Sequence, residues 1–90
     1  MKVTLEISHY PLADEYEKDI IDFIDQVKSI PDLEVYTNAM STYIKGEWKL
    51  VSETLYSGLN KIWNEGSNTS STVIKIIPRD LPVEVGFIKL

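Results

Sequence analysis

The chain has 90 residues, no cysteine and a net charge of −5, with 43% hydrophobic and 26% charged residues. That is one domain with one modest core. It excludes disulfides and thiolate metal sites, and an acidic balance disfavours nucleic acid and anionic membrane surfaces as partners.

Residues 2 to 9 alternate, with Val3, Leu5 and Ile7 on one side and Thr4, Glu6 and Ser8 on the other. A period of two with β-branched residues predicts a strand with one buried face. The charges at Lys2 and Glu6 do not suit a signal peptide, so the expected compartment is the cytoplasm. No apolar run reaches the roughly 20 residues of a membrane span. Tyr10-Pro11 is expected to stop the strand, because proline cannot donate to a ladder.

A helix is predicted from about Asp14 to Ile30. Tyr16, Ile20, Phe23, Ile24, Val27 and Ile30 recur at spacings of three and four. Asp14 and Glu15 suit the positive end of its dipole. Pro31 ends it, since the residue before a proline avoids helical angles. Leu33 to Thr37 reads as a short strand, 38–40 as a turn and Ser41 to Lys45 as the next strand, closed by Gly46. A second helix is expected over about Glu47 to Asn64, with Trp48, Val51, Leu55, Leu59, Ile62 and Trp63 as its core stripe. Gly58 inside it costs about 1 kcal/mol against alanine, which suggests close approach to the sheet or to the other helix. After a polar loop, Thr72 to Ile77 is the last regular strand, and Pro78 stops it.

The order strand, helix, strand, strand, helix, strand predicts an α+β, ferredoxin-like βαββαβ sandwich, with a four-stranded antiparallel sheet and both helices on one face. Val3, Leu5, Ile7, Ile74 and Ile76 would face the helices. Thr4, Glu6, Ser8, Tyr36, Val73, Lys75 and Ile77 would form the open face. The domain is expected to span residues 1–78. The tail, 79–90, carries Val83, Val85, Phe87 and Leu90 but also Pro82 and Gly86, and is expected to pack on a neighbouring subunit.

The single histidine, His9, is expected to be a partly buried structural residue. The carboxylates of the first helix read as a solvated face. Glu6 differs, because it lies mid-strand on the open face, where it needs a cation such as Lys75, a donor or water. No phosphate-binding glycine loop and no nucleophile elbow is present. Ser8, Ser41 and Thr42 lack an adjacent base and are not read as nucleophiles. The sequence therefore offers no catalytic residue, no metal site and no bound cofactor.

Two stretches combine small hydroxyls and amides with apolar and aromatic groups: Ser8-His9-Tyr10-Pro11-Leu12 and 38–46. Such a mixture suits a pocket for a small, flat, polar ligand. These stretches also carry a resemblance. Ile7-Ser8-His9-Tyr10-Pro11-Leu12 resembles the SLYPM/L segment of the YkoF-like, MTH1187-type thiamine-binding family. Met40-Ser41-Thr42-Tyr43-Ile44-Lys45-Gly46-Glu47 resembles that family's STxxxG segment. Leu33-Glu34-Val35 before Thr37-Asn38 is similar to its single-domain branch. The resemblance spans about residues 2 to 77. His9 stands where an apolar residue is usual, and Ala39 where proline is common.

The resemblance implies a ferredoxin-like homo-oligomer, dimer or tetramer, assembled through the open sheet face. It implies non-enzymatic binding or sequestration of thiamine or its hydroxymethylpyrimidine precursor. The expected ligand-binding residues are Glu6, Ser8, Tyr10, Asn38, Ser41, Thr42 and Tyr43. Their hydroxyl and amide groups can give and accept hydrogen bonds to an aminopyrimidine. Tyr10 or Tyr43 could stack on its ring, and Glu6 could offset a thiazolium charge. The alternatives are a structural or regulatory homo-oligomer without a small-molecule ligand, and a small enzyme with its site at a subunit interface.

Overall fold

The alternating N-terminal run becomes the middle of the sheet. In the computed structural model, which describes residues 1–11, 17–38, 40–65 and 70–85, β1 (Lys2–Pro11) pairs with a neighbour on each side. The chain continues as α1 (Glu17–Lys28), β2 (Glu34–Thr37), β3 (Thr42–Glu47), α2 (Trp48–Glu65) and β4 (Ser70–Ile77). A single 3₁₀ turn follows at Val83–Val85. The sheet order is β2-β3-β1-β4 with every neighbouring pair antiparallel. This is the expected ferredoxin-like α+β architecture. Among the described residues, no helix is long and apolar enough to cross a membrane.

Alternation sorts the core as expected. Val3, Leu5 and Ile7 on β1 and Ile44 on β3 are buried, and meet Phe23 and Val27 of α1 and Val51, Leu59 and Ile62 of α2. Each such side chain stabilises the fold by about 1.5–3 kcal/mol relative to exposure. The main helix contacts run from α2 to β3 and β1, and from α1 to α2 and β2. β4 is the edge strand farthest from them. Ile74 still packs against the core, but Ile76, expected to face the helices, remains 44% exposed. It lies on the helix side of a strand that the helices do not fully cover.

Several boundaries differ from expectation. Tyr10-Pro11 does not stop β1, which runs to Pro11 opposite Ser70. Beyond Ile7 the ladder with β3 has ended, so this stretch pairs only with β4. A proline is tolerated where one side of a strand has no partner. Gly46 does not end β3 either; it pairs with Val3, and the strand continues to Glu47. A Cβ on Gly46 would collide with the Leu33 side chain and come within 3.2 Å of the Asp32 carbonyl oxygen. Gly46 therefore provides space beneath the loop that leaves α1. The expected first helical turn, including Asp14, Glu15 and Tyr16, lies outside the described residues. So do Ala39 and the apolar end of the tail, Phe87, Ile88 and Leu90.

The α2 stripe narrows to Val51, Thr54, Gly58, Leu59 and Ile62, with Leu55 at its margin. Trp48 and Trp63, expected in the core, are 38% and 44% exposed. Trp63 lies roughly 100° around the helix from Ile62, and Trp48 is the first residue of its helix.

Gly58 supplies the close approach, and its partner is the other helix. A Cβ there would fall within the van der Waals envelope of the Phe23 ring. Gly58→Ala should therefore destabilise the protein by about 1–3 kcal/mol through overpacking, against the gain of about 1 kcal/mol that alanine brings to an exposed helix. Urea unfolding measures the difference. Phe23→Leu in the same chain should recover part of the loss, and a Gly58→Ala protein as stable as the parent would show that the helices can separate freely.

Candidate ligand site on the sheet face

The face away from the helices is organised in rows across the strands. One row is Glu34, Lys45, Thr4 and Ile77; the next is Tyr36, Tyr43, Glu6 and Lys75. Beyond them, the Ser8 and Ser41 hydroxyls lie 3.0 Å apart, with Val73 opposite Ser8.

The first row is covered by the chain that follows β4. The Thr4 hydroxyl donates to the Arg79 carbonyl at 2.7 Å and accepts from the Leu81 amide at 2.9 Å. Thr4 is consequently buried, although its face was expected to be open. Lys45, 3% exposed, reaches Asp80 at 2.6 Å and Glu84 at 3.0 Å. Lys2 adds longer contacts to Asp80 at 3.4 Å and Glu34 at 3.5 Å. Two cations thus sit among three carboxylates and tie residues 79–84 to their own sheet.

Hydrogen bonding from Asp80 holds the Lys45 ammonium well above its ordinary range, against the opposing effect of burial. The Lys45 hydrogen bond lowers Asp80, with Lys2 contributing. Glu84 is lowered first by its own backbone N–H and then by Lys45.

Between this anchored segment and the hairpin of β2 and β3 lies an open groove of about 490 Å³. Tyr36, Asn38 and Tyr43 line one side, and Val83 and Glu84 line the other. The volume falls within the range of small-molecule sites.

The expected site residues divide. Glu6, Ser8, Ser41 and Tyr43 share the open face. Glu6 pairs with Lys75 at 3.6 Å, the cross-sheet partner anticipated for it. Asn38 stands at the groove rim, but its Oδ1 accepts the backbone N–H groups of Met40 and Ser41 at 2.8 and 2.9 Å. It shapes the β2–β3 turn, and its amide NH₂ is what it can offer a ligand. Thr42 belongs to the opposite face. It is 5% exposed, and its hydroxyl meets that of Thr37 at 3.3 Å. Alternation along β3 separates it from Ser41 and Tyr43, so it cannot reach a ligand on the open face. Tyr10 pairs through its backbone with Ser71, and its side chain lies outside the described residues. His9 is partly buried, with Nδ1 2.9 Å from the Thr72 hydroxyl. Among the described residues, no group of His, Cys, Asp and Glu is placed to hold a metal ion.

Sequence reasoning put Tyr36 on the open face but not in the site; its register with Tyr43 was the available signal. Val83, Glu84, Asp80 and Lys45 were missed because their placement depends on where the tail returns.

Comparison with known proteins supports the fold. No family model matches the chain, and no curated protein matches it. Solved structures do. A hypothetical protein from Methanocaldococcus jannascii is 27% identical, with a TM-score of 0.72 over 88% of this chain and 81% of that one. A protein from Thermotoga maritima, provisionally assigned to thiamine biosynthesis or salvage, is 15% identical, with a TM-score of 0.78 over 94% of each chain. The DUF77 domain of unknown function from Bacillus cereus is 20% identical, with a TM-score of 0.69 over 96% of this chain and 86% of that one. The last two likenesses are of fold alone. They match the fold that the YkoF-like resemblance implies.

The ionic cluster gives stability a defined pH dependence. The depressed carboxylates Asp80 and Glu84 stabilise the fold above the ordinary carboxylate range, at roughly pH 5 and higher. That contribution is lost as pH falls through their lowered folded values. Lys45, raised when folded, stabilises below about pH 10 and loses that contribution as pH rises through its folded value. Melting temperature should therefore fall on the acid side, and Asp80→Asn should make that acid limb shallower. Identical pH profiles for parent and Asp80→Asn would show that the cluster contributes nothing to folding.

Proposed function

We propose that this protein binds thiamine or its hydroxymethylpyrimidine precursor without catalysing a reaction, and that it does so as a homo-oligomer. The observation that carries the reading is the row Tyr36, Tyr43 and Glu6, whose two tyrosines line the groove, with the Ser8–Ser41 hydroxyl pair in the next row of the same face. The phenol rings offer stacking area. The serine hydroxyls and the Asn38 amide offer the donors and acceptors that an aminopyrimidine requires. Ser8 is bonded to Ser41 rather than to a base, which supports a binding role over a nucleophilic one. The provisional assignment of the Thermotoga neighbour points towards thiamine metabolism, although it belongs to that protein.

Calorimetric titration of the full chain with thiamine and with hydroxymethylpyrimidine tests the reading. Replacing both serines, Ser8→Ala with Ser41→Ala, should weaken binding by about 1–3 kcal/mol, the usual effect of an unsatisfied polar ligand atom. The melting temperature should barely change. Full affinity in the double variant would remove the serine pair from the site.

The assembly has its own support. Val73 and Ile77 on the open face are 50% and 40% exposed, and burying such residues against a second sheet favours association. Light scattering should give a dimer or tetramer for the parent and a smaller species for Val73→Lys with Ile77→Lys. A monomeric parent would refute the assembly.

A further inference from the structure

The charge pattern of the groove narrows what it can accept. Besides Tyr36, Asn38, Tyr43 and Val83, its lining includes Val35 and Thr37, which leaves Glu84 as the sole charged group among the described lining residues. Among the described residues, no cation lines the same space. Lys45 is held by Asp80 at 2.6 Å and by Glu84 at 3.0 Å. Lys75 sits in the row of Tyr43 but two strands away, on β4, which is roughly 10 Å at ordinary strand spacing. It is also committed to Glu6. Burial raises the Tyr36 phenol above its ordinary range, and the fields of Glu34 and Glu84 raise it further against the opposing Lys45. Two carboxylates, Glu34 at 3.5 Å from the Tyr36 hydroxyl and Glu84 in the lining, thus stand at the tyrosine edge of the groove against the one ammonium of Lys45.

We propose that the groove selects a flat organic cation over its neutral isostere and over phosphorylated forms, with Tyr36 and Tyr43 as its aromatic wall and Glu84 as the counter-charge. The proposal rests on reading the groove as a ligand site, and within that reading it favours the thiazolium-bearing ligand over the neutral pyrimidine. A cation over a tyrosine face gains from the ring quadrupole, and a carboxylate on the facing wall adds to that attraction. A phosphate ester would bring negative charge beside Glu84 and find no basic group among the described lining residues to offset it. Glu84 has two roles in this scheme: one oxygen receives Lys45, and the residue also lines the groove. Lys45 therefore fixes the counter-charge in place.

The full chain, labelled with ¹⁵N, can be titrated with 1-methylnicotinamide and with nicotinamide, a pair that differs by one fixed charge. Thiamine, thiamine monophosphate and hydroxymethylpyrimidine form a second set, read by calorimetry. The methylated cation should bind about five- to tenfold more tightly than nicotinamide, with shifts at Tyr36, Tyr43 and Glu84. Thiamine should exceed both its monophosphate and the pyrimidine. Glu84→Gln should bring the affinities for the nicotinamide pair together. Asp80→Asn, which weakens the Lys45 cluster without altering the groove lining, should preserve the preference. Loss of the preference in Asp80→Asn would mean that Glu84 acts only by anchoring the tail, and would overturn the assignment. Equal affinity within the nicotinamide pair, an unchanged preference in Glu84→Gln, or tighter binding of the monophosphate than of thiamine would also overturn it. So would absence of any shift at the groove. If thiamine and the pyrimidine both fail to bind while the methylated cation keeps its preference, the thiamine assignment falls and the cation selectivity stands.

Discussion

A lysine ammonium buried on a sheet face needs a local source of negative charge, and Lys45 obtains it from Asp80 and Glu84. Removing an ammonium from water is costly unless its hydrogen-bonding capacity is met in place. Here the partners come from the segment after β4, so the lysine can be buried only when that segment lies across the sheet. Thr4 holds the same segment independently of these charges, through Arg79 and Leu81. The same segment covers Lys45 and supplies Val83 and Glu84 to the groove.

The two faces of the sheet follow different rules. Facing the helices, small differences in volume decide the packing: glycine at 58 admits the Phe23 ring, and glycine at 46 admits Leu33. Facing away, charge and hydrogen bonding dominate, in the Lys45 cluster, the Glu6–Lys75 pair and the Ser8–Ser41 contact. This separation accounts for the comparisons. A buried face that asks mainly for apolar residues at alternating positions can be met by many sequences, so the fold appears at 15% and 20% identity. A ligand site made of particular polar groups is not carried by fold alone.

Alternation and helical spacing are properties of the chain itself, so the sequence by itself determined the element order, the βαββαβ class and the helix-facing side of β1. It also placed Glu6 opposite Lys75 and assigned Gly58 to a close approach. The same alternation placed Thr42 on the helix side; grouping it with Ser41 and Tyr43 as a motif ignored that period. What only the tertiary structure decided depends on contacts between residues far apart in the chain. Lys45 and Glu84 are separated by 39 positions and Thr4 and Arg79 by 75, and no periodicity links them. The extent of helix cover, which leaves Ile76, Trp48 and Trp63 partly in solvent, likewise depends on how finite helices lie across a wider sheet. Local patterning sets which way a side chain points, whereas what it then meets depends on where the rest of the chain returns.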